Sequence, residues 1–244
     1  MVDRRTLSAA ERRARRERVR RRAGWATPTQ TDQVLTLTAH GHTIQLYDAQ
    51  GKIPACWRAG VPYEKPLLDH IYAERFTGLA VDAGANIGNH TLWFAGICGL
   101  DVAAFEPIKH PELAANIDLN GLGDKVTVHP SALGIIDGQA LHVGKGRLAT
   151  GKGTVPVRDL DGYGLRDVAV IKIDVEGMEP QVLAGAEHTI RDQRPIIFAE
   201  EWGPPEHTAI AAVLEPWGYR LTRRFSGKGS ATLTGRWDPK RDGA

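Results

Sequence analysis

The stretch Leu79-Ala80-Val81-Asp82-Ala83-Gly84-Ala85-Asn86-Ile87-Gly88-Asn89-His90-Thr91 limits what this chain can fold into more than any other. An apolar run ends in an acid, two glycines follow four residues apart, and Leu92-Trp93-Phe94-Ala95 then begins a helical pattern, so the stretch reads as strand, tight turn, helix. Gly84 and Gly88 let the backbone bend sharply and approach a ligand, and the N–H groups that open the helix offer donors to a carboxylate or phosphate. This is a nucleotide-type loop. Its G-x-x-x-G spacing departs from the G-x-G-x-x-G dinucleotide fingerprint, which argues against a nicotinamide cofactor. Bulk added at Gly84 is expected to fill the ligand's space and to strain the turn, while leaving the fold largely intact.

Around that loop the chain alternates strand and helix as a doubly wound sheet requires. Strands are expected at 79–83, 102–106, 126–130, 168–174 and 195–201, helices at 89–97, 111–120, from Glu179 and within 205–217, and a closing strand pair at 219–224 and 231–237. Upstream, 34–38 and 43–47 alternate in period two around His40-Gly41 and read as a β-hairpin, and 63–71 carries apolar residues at helical spacing. His40, His42 and His70 are scattered and receive no metal. The stretch from Gly144 to Gly153, rich in glycine and lysine, lacks G-x-x-x-x-G-K-[ST] and opens no helix, so it reads as a flexible loop on the substrate side or surface.

Two further stretches follow in order: Ala104-Phe105-Glu106-Pro107, and Ile171-Lys172-Ile173-Asp174-Val175-Glu176-Gly177 with its tail Val182-Leu183-Ala184-Gly185-Ala186. With the Asp-x-Gly-x-Asn-x-Gly loop they make the chain, over roughly residues 60–202, resemble the FkbM-type family of S-adenosylmethionine (SAM) methyltransferases. The resemblance implies an α/β fold with a mostly parallel, seven-stranded Rossmann-like sheet, one strand antiparallel, preceded by a β-hairpin. It also implies SAM as cofactor and a hydroxyl on a sugar or other small metabolite as acceptor. Where the family often has Asn-Pro after its Glu-Pro, this chain has Ile108-Lys109.

In an open α/β sheet, ligands sit beyond the carboxyl ends of the strands. That brings the first loop, with Asp82, Ala83, Gly84, Ala85, Asn86, Gly88, Asn89 and Thr91, to one crevice with Glu106, Pro107, Ser131, Ala132 and Asp174 as the expected cofactor contacts. Glu106 ends its strand about 20 residues after the loop, where an acid accepts hydrogen bonds from ribose hydroxyls; the alternative is an acid stabilised at a helix N-terminus. Asp82 and Asn86 orient the amino and carboxylate groups of the methionine or hold the loop itself. Ser131 and Ala132 stand where such proteins meet adenine.

The fourth strand carries Lys172 and Asp174, with Glu176 just past its end, in a segment expected at the sheet centre. Uncompensated charge there costs several kcal/mol, so these groups must pair, bind something, or lie at the open strand end. Alternation puts Lys172 and Asp174 on one face. One reading is a structural lysine–carboxylate pair. The functional reading makes Lys172, Asp174 and Glu176 the catalytic group, an acid accepting the proton of the attacking hydroxyl with help from Glu200, Glu201 or both. Asp174, Glu176 and Glu200 also offer oxygen ligands to Mg²⁺, although no His or Asn completes an evident metal set. The Asn-Pro-Pro-aromatic signature of amino-methylating DNA enzymes is missing, which favours oxygen methylation.

Residues 1–24 hold a charge of +7 against −5 for the rest of the chain, within a net +2. This opening has a capping box at Ser8-Ala9-Ala10-Glu11, i,i+4 pairs Glu11–Arg15 and Glu17–Arg21, and Gly24 as a stop, but almost no apolar stripe. It reads as a solvated basic helix or tail, or as a contact for nucleic acid through residues 4–22, for an acidic partner or for an anionic surface. A methyltransferase of RNA or another nucleic acid that uses this tail, and a SAM-fold binding protein without activity, therefore stand as alternatives. The expected organisation is a basic tail at 1–30 and one methyltransferase domain at 31–244, divided into a hairpin at 31–60, a cofactor-binding core at 61–202 and a closing helix and strands at 203–244. Cys56 and Cys98 match no metal or redox spacing and read as small buried hydrophobes. Without a run of about 18 apolar residues or a signal-type h-region, a cytoplasmic location is expected.

Overall fold

The structure, a computed structural model, describes residues 33–135, 138–142, 148–150, 154–226 and 233–240. The basic tail, with its expected helix, lies outside the described residues.

Strands β1 (Val34–Ala39) and β2 (His42–Tyr47) form an antiparallel hairpin whose turn residue His40 takes a positive φ of 52° beside Gly41. Helices α1 (Lys52–Arg58) and α2 (Lys65–Glu74) lead into β3 (Leu79–Ala83), and α1 falls within the 31–60 segment expected as a hairpin. After β3 come α3 (Asn89–Leu92), which widens into a π-turn at Trp93–Ile97, then β4 (Asp101–Phe105), α4 (His110–Asn120) and β5 (Val126–His129). Helix α4 follows ordinary terminus rules, with proline in its first turn and Gly121 in the left-handed conformation at its end.

The next segment forms a small second sheet from β6 (Ala132–Leu133), β7 (Gly138–His142), β8 (Leu148–Thr150) and β9 (Val155–Arg158). The expected flexible loop over Gly144 to Gly153 is corrected here in part: Leu148–Thr150 is a strand paired with β7, and the remainder falls outside the described residues. The chain then returns through β10 (Val168–Ile173), α5 (Glu179–Ala184), α6 (Glu187–Gln193), β11 (Ile196–Glu201), α7 (Pro204–Leu214), β12 (Tyr219–Ser226) and β13 (Leu233–Pro239).

The central sheet has seven strands in the order β12-β13-β11-β10-β3-β4-β5. Strands β11, β10, β3, β4 and β5 pair in parallel, while β13 runs antiparallel to both of its neighbours. This is the α/β doubly wound architecture with a single reversed strand. The central strands are buried almost throughout, as parallel strands covered by helices on both faces must be. Ala80, Val102, Ala104, Val170 and Phe198 point into the core shared with the hairpin, α2, α3 and α4; Val81, Ala103, Ile171, Ile173 and Ala199 point into the core of α5, α6 and α7.

The hairpin is tied to α4 by side chains acting as a strand edge. Asn120 accepts from the Gln45 N–H at 2.7 Å and donates to the Gln45 carbonyl at 2.6 Å, and Asn116 accepts from the Tyr47 N–H at 2.9 Å. The π-turn contributes close approach, since a Cβ at Gly96 would lie 2.6 Å from a methyl of Ile44.

Candidate active site

A cleft of about 700 Å³ opens at the carboxyl ends of β3, β4, β10 and β11 and takes part of its wall from α1 and Tyr63. Strand alternation decides on which face of the sheet each charge lies. Asp82, Lys172 and Glu200 share parity with Ala80, Val170 and Phe198 on the hairpin-side face, and Lys172 lies in register beside Asp82. Glu201 has the opposite parity.

The turn after β3 is built by backbone. The Gly84 and Ala85 N–H groups donate to the Phe105 carbonyl at 2.9 and 3.1 Å, and the Asp174 N–H donates to the Ala83 carbonyl at 3.0 Å. Gly84 has φ +83°, and a Cβ there would run into the carbonyl oxygen of Asp174. The expectation that bulk at Gly84 spares the fold is thereby corrected. The missing side chain makes room for the end of β10 first, and for a ligand second.

Asn86 also adopts a positive φ, 50°, held by its own side chain, whose Oδ1 accepts from the Ile87 N–H at 2.9 Å. Its N–H donates to Glu106 Oε2 at 2.9 Å, while Glu106 Oε1 accepts from the Ile108 and Lys109 N–H groups at 2.7 and 2.8 Å. A carboxylate has about four acceptor positions, so three backbone bonds leave Glu106 capacity for one more partner in the cleft it lines. The two readings of Glu106 are compatible, because one carboxylate clasps the loop to the approach of α4 and still faces the cleft.

Gly84, Ala85, Asn86, Asn89, Glu106, Pro107, Ala132 and Asp174 line the cleft. Asp82, Ala83, Gly88, Thr91 and Ser131 stand outside its lining. Asp82 is buried and accepts a hydrogen bond from the Thr91 hydroxyl at 2.5 Å, which locks strand to helix; burial pushes its carboxyl above the usual range. Asn89 spends its amide on the segment preceding β3, accepting from the Trp57 indole at 3.0 Å and donating to the Tyr63 carbonyl at 3.0 Å. The Ser131 and Tyr163 hydroxyls are 2.9 Å apart beside stacked Phe105 and His129.

At the other end of the cleft, Lys172 is wholly buried with Nζ 3.4 Å from Asp174 Oδ2, and the Asp174 side chain is 27% exposed. Burial disfavours the ammonium, but Asp174, Glu64, Glu200 and Asp82 together outweigh it and hold the lysine above its ordinary pKa. Lys172 is therefore a fixed cation and not a base. Glu64, at the N-terminus of α2, is an unforeseen member of this group. Its carboxylate stands 3.2 Å from His90 Nε2, and although burial acts to raise its pKa, Lys172 and His90 bring it down to about 2.

Glu176 lines the cleft from the turn after β10 with φ +58°. Glu179, another residue the sequence reading missed, holds that turn: its Oε1 accepts from the Val175 and Gly177 N–H groups at 3.1 and 3.2 Å. Glu200 lines the cleft and accepts from the Trp202 indole at 3.1 Å. Glu201 does not join it, since its oxygens face Arg224 at 3.0 Å and His207 at 3.2 Å on the opposite face of the sheet. Among the described residues no group of three or more His, Cys, Asp or Glu side chains is placed to hold a metal ion, so Asp174, Glu176 and Glu200 are not gathered into a Mg²⁺ set. No described helix is long and apolar enough to cross a membrane.

Residues 82–221 match the methyltransferase FkbM domain family. Among solved structures, the chain is similar to the FkbM methyltransferase of Methylobacillus flagellatus KT, with a TM-score of 0.53 and 20% identity over 67% of this chain and 44% of that one. It thus spans less than half the length of that protein. It is similar, too, to a human methyltransferase 10 domain containing protein, with a TM-score of 0.50 and 10% identity over 96% of this chain and 98% of that one. At these identities the likeness concerns the fold. No curated protein matches the chain.

Proposed function

The chain belongs to the methyltransferase FkbM domain family, and from that membership we propose that it methylates a hydroxyl oxygen on a sugar or other small metabolite. The family implies SAM, and the cleft fits such a cofactor: its volume of about 700 Å³ lies in the range of ordinary ligand pockets, and Glu106 keeps acceptor capacity inside it. The backbone of Gly84–Asn86 and the Glu106 carboxylate are the groups proposed to hold it. SAM supplies an already activated methyl group, so the protein's share of the work is alignment and a base.

The observation that carries the oxygen-methylation reading is the partly open Asp174 carboxylate, backed by buried Lys172 and facing the same cleft as Glu200. Lys172 fixes where Asp174 points, and Asp174 is the proposed acceptor of the hydroxyl proton, with Glu200 orienting the same hydroxyl. The Lys172 ammonium has no proton-accepting capacity. A nucleic-acid acceptor would draw on the basic tail, and salt-sensitive RNA binding lost on deleting residues 1–24 would favour it.

Two measurements test the proposal. Mass spectrometry of the purified protein should find SAM or S-adenosylhomocysteine, and calorimetry should find that SAM binds. Asp174→Asn should keep that affinity while methyl transfer falls by roughly 10²-fold or more, as expected for a lost general base. Absence of SAM binding would remove the enzymatic reading altogether, and full activity in Asp174→Asn would move the base elsewhere.

A further inference from the structure

We propose that Trp202 and Tyr63 form an acceptor subsite for a hydroxylated ring, with the indole taking the apolar face of the ring while one of its hydroxyls meets Glu200. This rests on reading the cleft as a methyl-transfer site. Trp202 is 51% exposed even though it lines the cleft. A lone exposed aromatic is ordinary on a protein surface, and what distinguishes this one is how it is held. Its indole N–H donates to Glu200 Oε2 at 3.1 Å, and Glu200 is itself only 5% exposed. The polar edge of the indole is fastened to a buried carboxylate, which leaves its apolar surface for whatever enters.

Tyr63 lines the same cleft. Burial, and after it the charges of Glu64, Asp174 and Glu200, push its phenol up to about 12, so it remains a hydrogen-bond donor throughout the working pH range. The cleft therefore combines two aromatic rings, a phenol donor and the carboxylates Asp174 and Glu200 as acceptors. A pyranose or cyclitol offers the complement, an apolar C–H face and hydroxyls that both donate and accept. An acyclic polyol offers the hydroxyls without the face, so it cannot use the indole.

Saturation-transfer-difference NMR on the full-length protein loaded with S-adenosylhomocysteine tests this, with methyl α-glucoside and myo-inositol as ring probes and sorbitol as the acyclic control. Saturation should pass to the ring C–H protons of the two cyclic probes more strongly than to sorbitol. Trp202→Ala should abolish it, Trp202→Phe should retain it, and both variants should bind S-adenosylhomocysteine as the wild type does. No transfer to either cyclic probe, transfer equal to that of sorbitol, or an unchanged signal in Trp202→Ala would each overturn the subsite. Failure of the wild type to bind S-adenosylhomocysteine would instead strike the methyl-transfer reading, and calorimetry separates that case before any probe is added.

Discussion

At the scale of single residues, two positions in the loops beyond β3 and β10 behave differently from what their side chains suggest. Gly84 looks like a glycine kept small for a ligand, yet its absent Cβ is also what lets the Asp174 carbonyl pass, at φ +83°. Gly84→Ala should therefore cost stability as well as cofactor affinity, by roughly 3 kcal/mol or more when overpacking and positive-φ strain are taken together. Thermal melts of the cofactor-free protein measure this, and an unchanged melting temperature would return Gly84 to a purely ligand-facing role. Glu179 looks like an exposed helix-start acid but is wholly buried, and burial pushes its carboxyl above the usual range. A raised folded pKa gives stability that is full below the unfolded value, about 4.3, and is lost as the pH rises through the folded one. Glu179→Gln keeps an oxygen for the Val175 and Gly177 N–H groups and has no charge to bury. Its melting temperature at pH 7 should equal or exceed that of the wild type, with the advantage gone at pH 4. A large loss at pH 7 would mean that the turn needs the ionised form.

At the scale of elements, α4 links the hairpin to the cofactor loop through two asparagines one helical turn apart. Asn120 serves the hairpin through Gln45, and Asn116 serves both sides, accepting from Tyr47 N–H and donating to the Ile87 carbonyl at 2.8 Å. Each substitution to alanine removes a hydrogen bond from the half-buried backbone of β2, at about 0.5–1.5 kcal/mol per bond lost. Asn120→Ala should lower stability and leave SAM affinity unchanged, whereas Asn116→Ala should lower both. Urea unfolding and calorimetry on the two variants measure this, and an unchanged SAM affinity in Asn116→Ala would show that the loop does not depend on this contact from α4. The elements were legible wherever periodicity was strong: the core strands and α4 lie within a residue or two of their expected limits, because buried parallel strands and a Pro-to-Gly helix are written locally. Helix α1, inside the segment expected as a hairpin, is only seven residues long and so too short to show a clear helical period in the sequence. The second sheet was hidden because β6 is two residues long and gains its strand character only from pairing with distant β9.

For the whole molecule, the charges around Lys172 join parts of the chain that no local pattern connects. The cation sits on β10, and its carboxylates come from β3, from the carboxyl ends of β10 and β11, and from Glu64 ahead of α2. Sequence spacing revealed the β10 acids because they alternate along one strand. It could not reveal Glu64, because 108 residues of sequence say nothing of a distance in space, and Tyr63 and Trp202 escaped for the same reason. Glu64 thus couples the N-terminal elements to the sheet centre by charge, and its titration should report on that coupling. Its folded pKa, about 2, lies below the unfolded value near 4.3, so it contributes stability above pH 4.3 that is lost as the pH falls toward 2. Glu64→Gln removes that contribution and leaves Lys172 with one counter-charge fewer. The variant should be less stable than the wild type at pH 7 by up to 3–5 kcal/mol, roughly the cost of breaking a buried pair. The gap between the two proteins should then narrow as the pH falls from 4.3 to 2, because the wild type is losing what the variant never had. Urea unfolding followed by circular dichroism at pH 7, 4 and 2.5 measures the gap. If it stays constant across that range, Glu64 contributes by packing alone, and the cluster around Lys172 is balanced by Asp82, Asp174 and Glu200 without it.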